Sequence, residues 1–145
     1  MKFRAFAISA VMLVATLPVQ AQSAAEVLRE AGIEGTWSVN CSVPPGDRNG
    51  HHTYIYEGGG VREARDFGNS RDSSDVIRAR IFDDGTLEIV TRNPQFTWRV
   101  VYRRLGDGKI RAITSGEEGG TNRLTIENGR FLHNGNETQA LVRCN

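Results

Sequence analysis

From Gly35 to the end of the chain, apolar and polar side chains alternate with a period of two. Trp37, Val39 and Cys41 alternate with Thr36, Ser38 and Asn40, and His52, Tyr54 and Tyr56 alternate with Thr53, Ile55 and Glu57. A period of two places successive side chains on opposite faces of a strand, so each run predicts a strand with one packed face. Further strands are predicted over Val61–Phe67, Val76–Phe82, Thr86–Arg92, Phe96–Leu105, Lys109–Ser115, Asn122–Glu127, Arg130–His133 and Thr138–Cys144. Turn chemistry separates them: Pro44-Pro45-Gly46, Gly58-Gly59-Gly60, Asp83-Asp84-Gly85, Gly106-Asp107-Gly108 and Asn128-Gly129. The segment 68–75, Gly-Asn-Ser-Arg-Asp-Ser-Ser-Asp, reads as the most loop-like part of the domain. Short strands spaced by roughly 10–12 residues are the pattern of an antiparallel barrel or sandwich. The predicted fold is all-β: a small up-and-down antiparallel barrel of about eight strands.

The pattern before Gly35 differs. Ser23-Ala24-Ala25-Glu26 is a capping-box sequence, and Val27, Leu28 and Ala31 follow at helical spacing. Gly32 suits the position just past a helix end. A short helix over 24–31 is therefore expected, on an N-terminal arm spanning 22–34. Earlier still, Lys2 and Arg4 precede an uncharged apolar run from Ala5 to Leu17. Pro18 breaks that run, and Val19-Gln20-Ala21 offers a small-residue cleavage site, so residues 1–21 read as a secretory signal peptide. The apolar run is too short to cross a hydrocarbon core of ~30 Å as a helix, so no stable membrane anchor is expected. The mature domain then comprises the arm and a barrel over 35–145, located in the periplasm or secreted.

Export changes how the two cysteines are read. Cys41 and Cys144 are the only cysteines of the 145-residue chain. In an oxidising compartment they predict one disulfide, closing a loop of about a hundred residues and joining the first strand to the last. Neither lies in a C-x-x-C motif or beside a histidine, which argues against a metal pair.

Charge narrows the partners. Loss of Lys2 and Arg4 turns the +1 formal net charge of the whole chain into −1. A near-neutral domain is not a nucleic-acid binder by composition. Every remaining cation except Lys109 is an arginine. Arg78, Arg80, Arg92, Arg99, Arg103, Arg111 and Arg123 lie on neighbouring predicted strands together with Glu88 and Glu127. Cross-strand ion pairs on a wet face are the plain reading, and an anion- or partner-docking face is the sharper one.

The chain carries no G-x-S-x-G elbow, H-E-x-x-H motif or P-loop. His51 and His52 are adjacent on a strand and point to opposite faces, so they do not share a metal. No catalytic constellation, metal site or cofactor is expected, and the chain reads as a non-enzymatic protein. The most informative strand is 96–105, where Phe96, Trp98, Val100, Tyr102 and Arg104 share one face. Facing inward, Trp98, Tyr102 and Arg104 would line a pocket, joined by Tyr54 and Tyr56 from another strand. Alternatively the same aromatic residues fill a small barrel's core.

Gly35-Thr36-Trp37 opens the first strand after a short helix, and Arg143 lies on the last. This arrangement resembles the calycin superfamily, the lipocalin and avidin-type small barrels. It also resembles small periplasmic inhibitor barrels, in which an arm like Ser23–Trp37 precedes a G-x-W strand. The resemblance implies that Trp37 closes one end of the barrel with the Arg143 guanidinium stacked on its ring. It further implies one of two functions: binding of a small apolar or amphipathic ligand, or interaction with an exported protein partner, as an inhibitor of an exported hydrolase would.

Overall fold

A computed structural model describes residues 21–119 and 123–144. The signal-peptide reading falls almost wholly on residues 1–20, outside the described residues, as does the strand start expected at Asn122.

Helix α1 (Ala24–Glu30) starts where the capping box predicts. The Glu26 backbone N–H donates to Ser23 Oγ at 3.3 Å, and the Ser23 backbone N–H donates to Glu26 Oε2 at 2.7 Å. Gly32, at φ +64°, ends the helix in a conformation that strains any residue with a Cβ. Ala25, Val27 and Leu28 are buried where the helix packs on the barrel, against β3 and β4.

The strands are β1 (Gly35–Ser38), β2 (His51–Glu57), β3 (Gly60–Asp66), β4 (Arg71–Ile81), β5 (Leu87–Arg92), β6 (Thr97–Arg104), β7 (Ile110–Glu117), β8 (Leu124–Glu127), β9 (Arg130–Phe131) and β10 (Ala140–Cys144). β1 to β7 pair antiparallel in chain order, and β10 pairs with both β7 and β1. The result is a closed eight-strand antiparallel barrel with one short helix, the architecture expected and one that fits a calycin-like fold in general. β8 and β9 form a hairpin hung on the end of β7. Closure leaves no unpaired sheet edge around the ring.

The core is the inward face of the alternation: Trp37, Tyr54, Val61, Val76, Leu87, Ile89, Tyr102 and Ile110, joined by Leu28 and Ile33 from the arm. Each such side chain contributes about 1.5–3 kcal/mol on burial. A bulge at Ile77 on β4 keeps Val76 and Ala79 both inward, opposite Thr91 and Ile89, and turns Arg78 and Arg80 outward. On that outer face Glu88 accepts from Arg78 Nε at 3.2 Å and from Arg99 Nε at 2.5 Å. Arg78 also reaches Glu118, at 2.5 Å. The plain reading of the arginine face, cross-strand ion pairs, describes these contacts.

Three details differ from expectation. The segment 68–75 is not a loop throughout: β4 begins at Arg71, and the turn shrinks to 67–70. Its polar residues are held in a ladder by charge pairing. Arg65 grips Asp72 through two bonds of 2.7 Å, and Arg71 donates to Asp66 at 2.8 Å. Second, β1 stops at Ser38, short of Cys41. The chain turns back, and the Asn49 side chain ties the turn together. Asn49 Oδ1 accepts from Ser38 Oγ and the Asn40 N–H, while its Nδ2 donates to the carbonyls of Asn40, Val43 and Pro44. The Cys41–Cys144 disulfide forms, with the Cα atoms 5.4 Å apart. Third, Trp37 and Arg143 oppose each other in register, but the guanidinium–ring contacts among the described residues are Arg29 over Tyr56, at 4.7 Å from the centroid, and Arg80 over Phe82, at 5.0 Å.

Candidate functional site

The barrel holds a cavity of about 750 Å³ at the end away from α1. Its wall on β6 is Trp98, Val100 and Tyr102, three inward positions in succession. Trp98 is fixed from two sides. Its Nε1 donates to Ser115 Oγ at 2.8 Å, and the Phe96 ring meets it edge-on at 6.0 Å. Ile126 and Phe131 of the β8–β9 hairpin close over part of the mouth. The segment after the hairpin is anchored to β7 by Thr138, whose hydroxyl donates to the Ala112 carbonyl at 2.7 Å.

The opposite wall, on β2 and β3, is polar. Glu63 is 7% exposed. Its Oε1 accepts from His52 Nδ1 at 3.0 Å and from the Tyr54 hydroxyl at 3.3 Å. A carboxylate offers only lone pairs, so His52 Nδ1 carries the hydrogen of this bond. The Phe67 ring packs edge-on against His52, with centroids 5.9 Å apart. Burial, followed by the charge of Glu63, pushes the Tyr54 and Tyr102 hydroxyls well above the ordinary tyrosine range. Both rings therefore stay neutral hydrogen-bonding groups. Arg65 also lines the cavity. Burial works against its charge, but the Asp72 bonds and the nearby Glu63 outweigh burial and hold the guanidinium more firmly protonated.

A smaller cavity of about 350 Å³ lies at the α1 end, bordered by Ala31, Ile81, Leu87, Tyr102 and Arg104. Tyr102 borders both cavities.

Five residues were expected to form one pocket, and the structure divides them. Trp98 and Tyr102 line the large cavity. Tyr54 is buried behind it, bonded to Glu63. Tyr56 and Arg104 lie at the other end and fasten the arm: the Tyr56 hydroxyl donates to the Ile33 carbonyl, and Arg104 Nη2 donates to the Ala31 carbonyl. Strand geometry explains the split. Trp98 and Arg104 do share a face of β6, but at about 3.3 Å per residue they are separated by most of the barrel's height.

His52, Glu63 and Arg65 are among the cavity residues that the sequence reading did not single out. A signal existed. On β3 the buried Val61 fixes the inward phase, and Glu63 and Arg65 fall on that same phase. Among the described residues no cluster of three or more His, Cys, Asp or Glu side chains is arranged to hold a metal ion. Also among them, no helix is long and apolar enough to cross a membrane. Comparison of the chain with protein-family models, with curated proteins and with solved structures finds no match.

Proposed function

We propose that this chain is an exported, non-enzymatic binding protein that holds a small amphipathic molecule inside a calycin-like barrel. The observation that carries the reading is the 750 Å³ cavity, with an aromatic and aliphatic wall facing a small set of fixed polar groups. That volume and that mixture of surfaces are those of small-molecule sites. The wall is built before any ligand arrives, because Trp98, His52 and Glu63 are each held by neighbours within the barrel. Preorganisation of this kind lowers the cost of ordering on binding. Export to the periplasm or beyond is supported by the leader-like first 21 residues and by the disulfide.

The test is native mass spectrometry of the protein isolated from its own host. The expected result is a retained small molecule, lost when Trp98 is replaced by a charged residue. A protein that is consistently empty of small molecules and carries a stoichiometric protein partner would move the function from the cavity to the surface.

A further inference from the structure

The polar wall of the cavity has an imbalance that points to the kind of ligand. Glu63 is 7% exposed, yet both of its protein hydrogen bonds, from His52 and Tyr54, arrive at Oε1. Among the described residues Oε2 has no hydrogen-bond partner, and Glu63 lines the cavity. The adjacent Arg62 pairs with Glu57, and Arg65, on the same face of β3 as Glu63, holds Asp72 through two bonds and acts on Glu63 only through space. Among the described residues no Lys or Arg forms an ion pair with Glu63; its one charge-capable contact is His52.

A carboxylate oxygen that faces a cavity without a protein donor is an acceptor open to a ligand, and a ligand's ammonium group would give it a charge-assisted hydrogen bond. The rest of the cavity suits such a ligand. Aromatic rings attract cations through the electron-rich ring face, and Trp98, Tyr102 and Phe67 border the same space as Glu63. We propose that the ligand is an organic amine: an apolar body against Trp98 and Val100, with a protonated ammonium group donating to Glu63 Oε2. This rests on the reading of the cavity as a ligand site and names the chemistry that the site selects.

Three probes share one indole body and differ only in head group: tryptamine (ammonium), tryptophol (hydroxyl) and indoleacetate (carboxylate). Titration calorimetry on the disulfide-bonded protein should rank tryptamine first. It should bind roughly ten- to a hundredfold more tightly than tryptophol, as one charge-assisted hydrogen bond allows. In Glu63→Gln that advantage should vanish. In carbon-labelled wild-type protein, the Glu63 carboxyl resonance should move with tryptamine and not with tryptophol, a measurement that needs no variant to fold. Binding of tryptophol or indoleacetate with no advantage for tryptamine would overturn the ammonium assignment and leave the ligand cavity standing. A preference for tryptamine that survives in folded Glu63→Gln would do the same. If none of the three binds, the cavity reading fails and the ammonium assignment fails with it.

Discussion

Cys41 is bonded to Cys144 although the residue opposite Cys144 in the ladder is Thr36. The two observations together require the chain after β1 to double back, so that Cys41 arrives from outside the sheet. The bond therefore does not substitute for the β1–β10 ladder. It clamps the 39–50 segment over the seam that the ladder has already closed.

The seam gives the first prediction. A bridge over 103 residues of sequence restrains the unfolded chain by roughly 4–5 kcal/mol. Because the β1–β10 pairing is independent of it, a Cys41→Ser/Cys144→Ser double variant should keep the barrel's far-ultraviolet spectrum and lose about 10–20 °C in melting temperature. Thermal unfolding with and without reductant measures this. An unchanged melting temperature would mean that the unfolded chain is already restrained in some other way.

The sequence shows the fold more readily than the site, for physical reasons. A capping box and a turn glycine act locally, so α1 could be read from Ser23, Glu26 and Gly32 alone. Alternation and turn residues also act locally, and they located most of the strands. The start of β4 was hidden because Arg71, Asp72 and Ser73 have loop composition, and only pairing to Asp66 and Arg65 across the hairpin makes them strand. The site was half legible for a similar reason. Trp98 and Tyr102 announce themselves as large inward aromatics. Glu63 looks like a wet-face residue until Val61 fixes the phase of β3. Arg104 and Tyr56 share faces with cavity residues, but their use in fastening the arm depends on where the helix docks, and no local pattern encodes that.

Glu88 gives a pH prediction. Burial opposes its ionisation, but the hydrogen bonds from Arg99 and Arg78 outweigh burial and hold its carboxyl below the usual range. A carboxyl lowered on folding stabilises the protein above its unfolded-state value and loses that contribution as pH falls through the folded-state value. Glu88→Gln should therefore cost about 1–3 kcal/mol near neutral pH. The gap to wild type should close on acidification, as the wild-type carboxyl takes up its proton. Urea unfolding across an acid series checks both parts, and a gap independent of pH would rule out the ionic account.

Tyr54 and Tyr102 predict the opposite limb. Their folded-state values are raised by burial and then by the charge of Glu63. A group raised on folding contributes its stability fully below the unfolded value, which for tyrosine is 10.0. That contribution is lost as pH rises from there. Of the chain's three tyrosines, these two should resist ionisation until the barrel opens. Absorbance titration in the ultraviolet should show a late, cooperative step coincident with loss of the folded circular dichroism signal. Ionisation of all three in one early, non-cooperative step would show that the two rings are open to solvent.

Gly50 is required by a close approach, and this makes it a remote handle on the polar wall. A Cβ built there would stand 2.5 Å from Phe67 Cε1 and 3.4 Å from His52 Nε2. The first distance is well inside van der Waals contact, so in Gly50→Ala the Phe67 ring has to move. That ring is the edge-on neighbour of His52, which in turn donates to Glu63. Overpacking of this sort costs about 1–3 kcal/mol, seen as a lower urea midpoint with an unchanged slope. The functional consequence should exceed what stability alone predicts, because the displaced ring borders the same cavity. The His52 ring resonances should shift, and ligand affinity should fall in protein that is still fully folded. A Gly50→Ala variant with the expected loss of stability but unaltered His52 resonances would show that Phe67 yields toward solvent and that the polar wall does not depend on it.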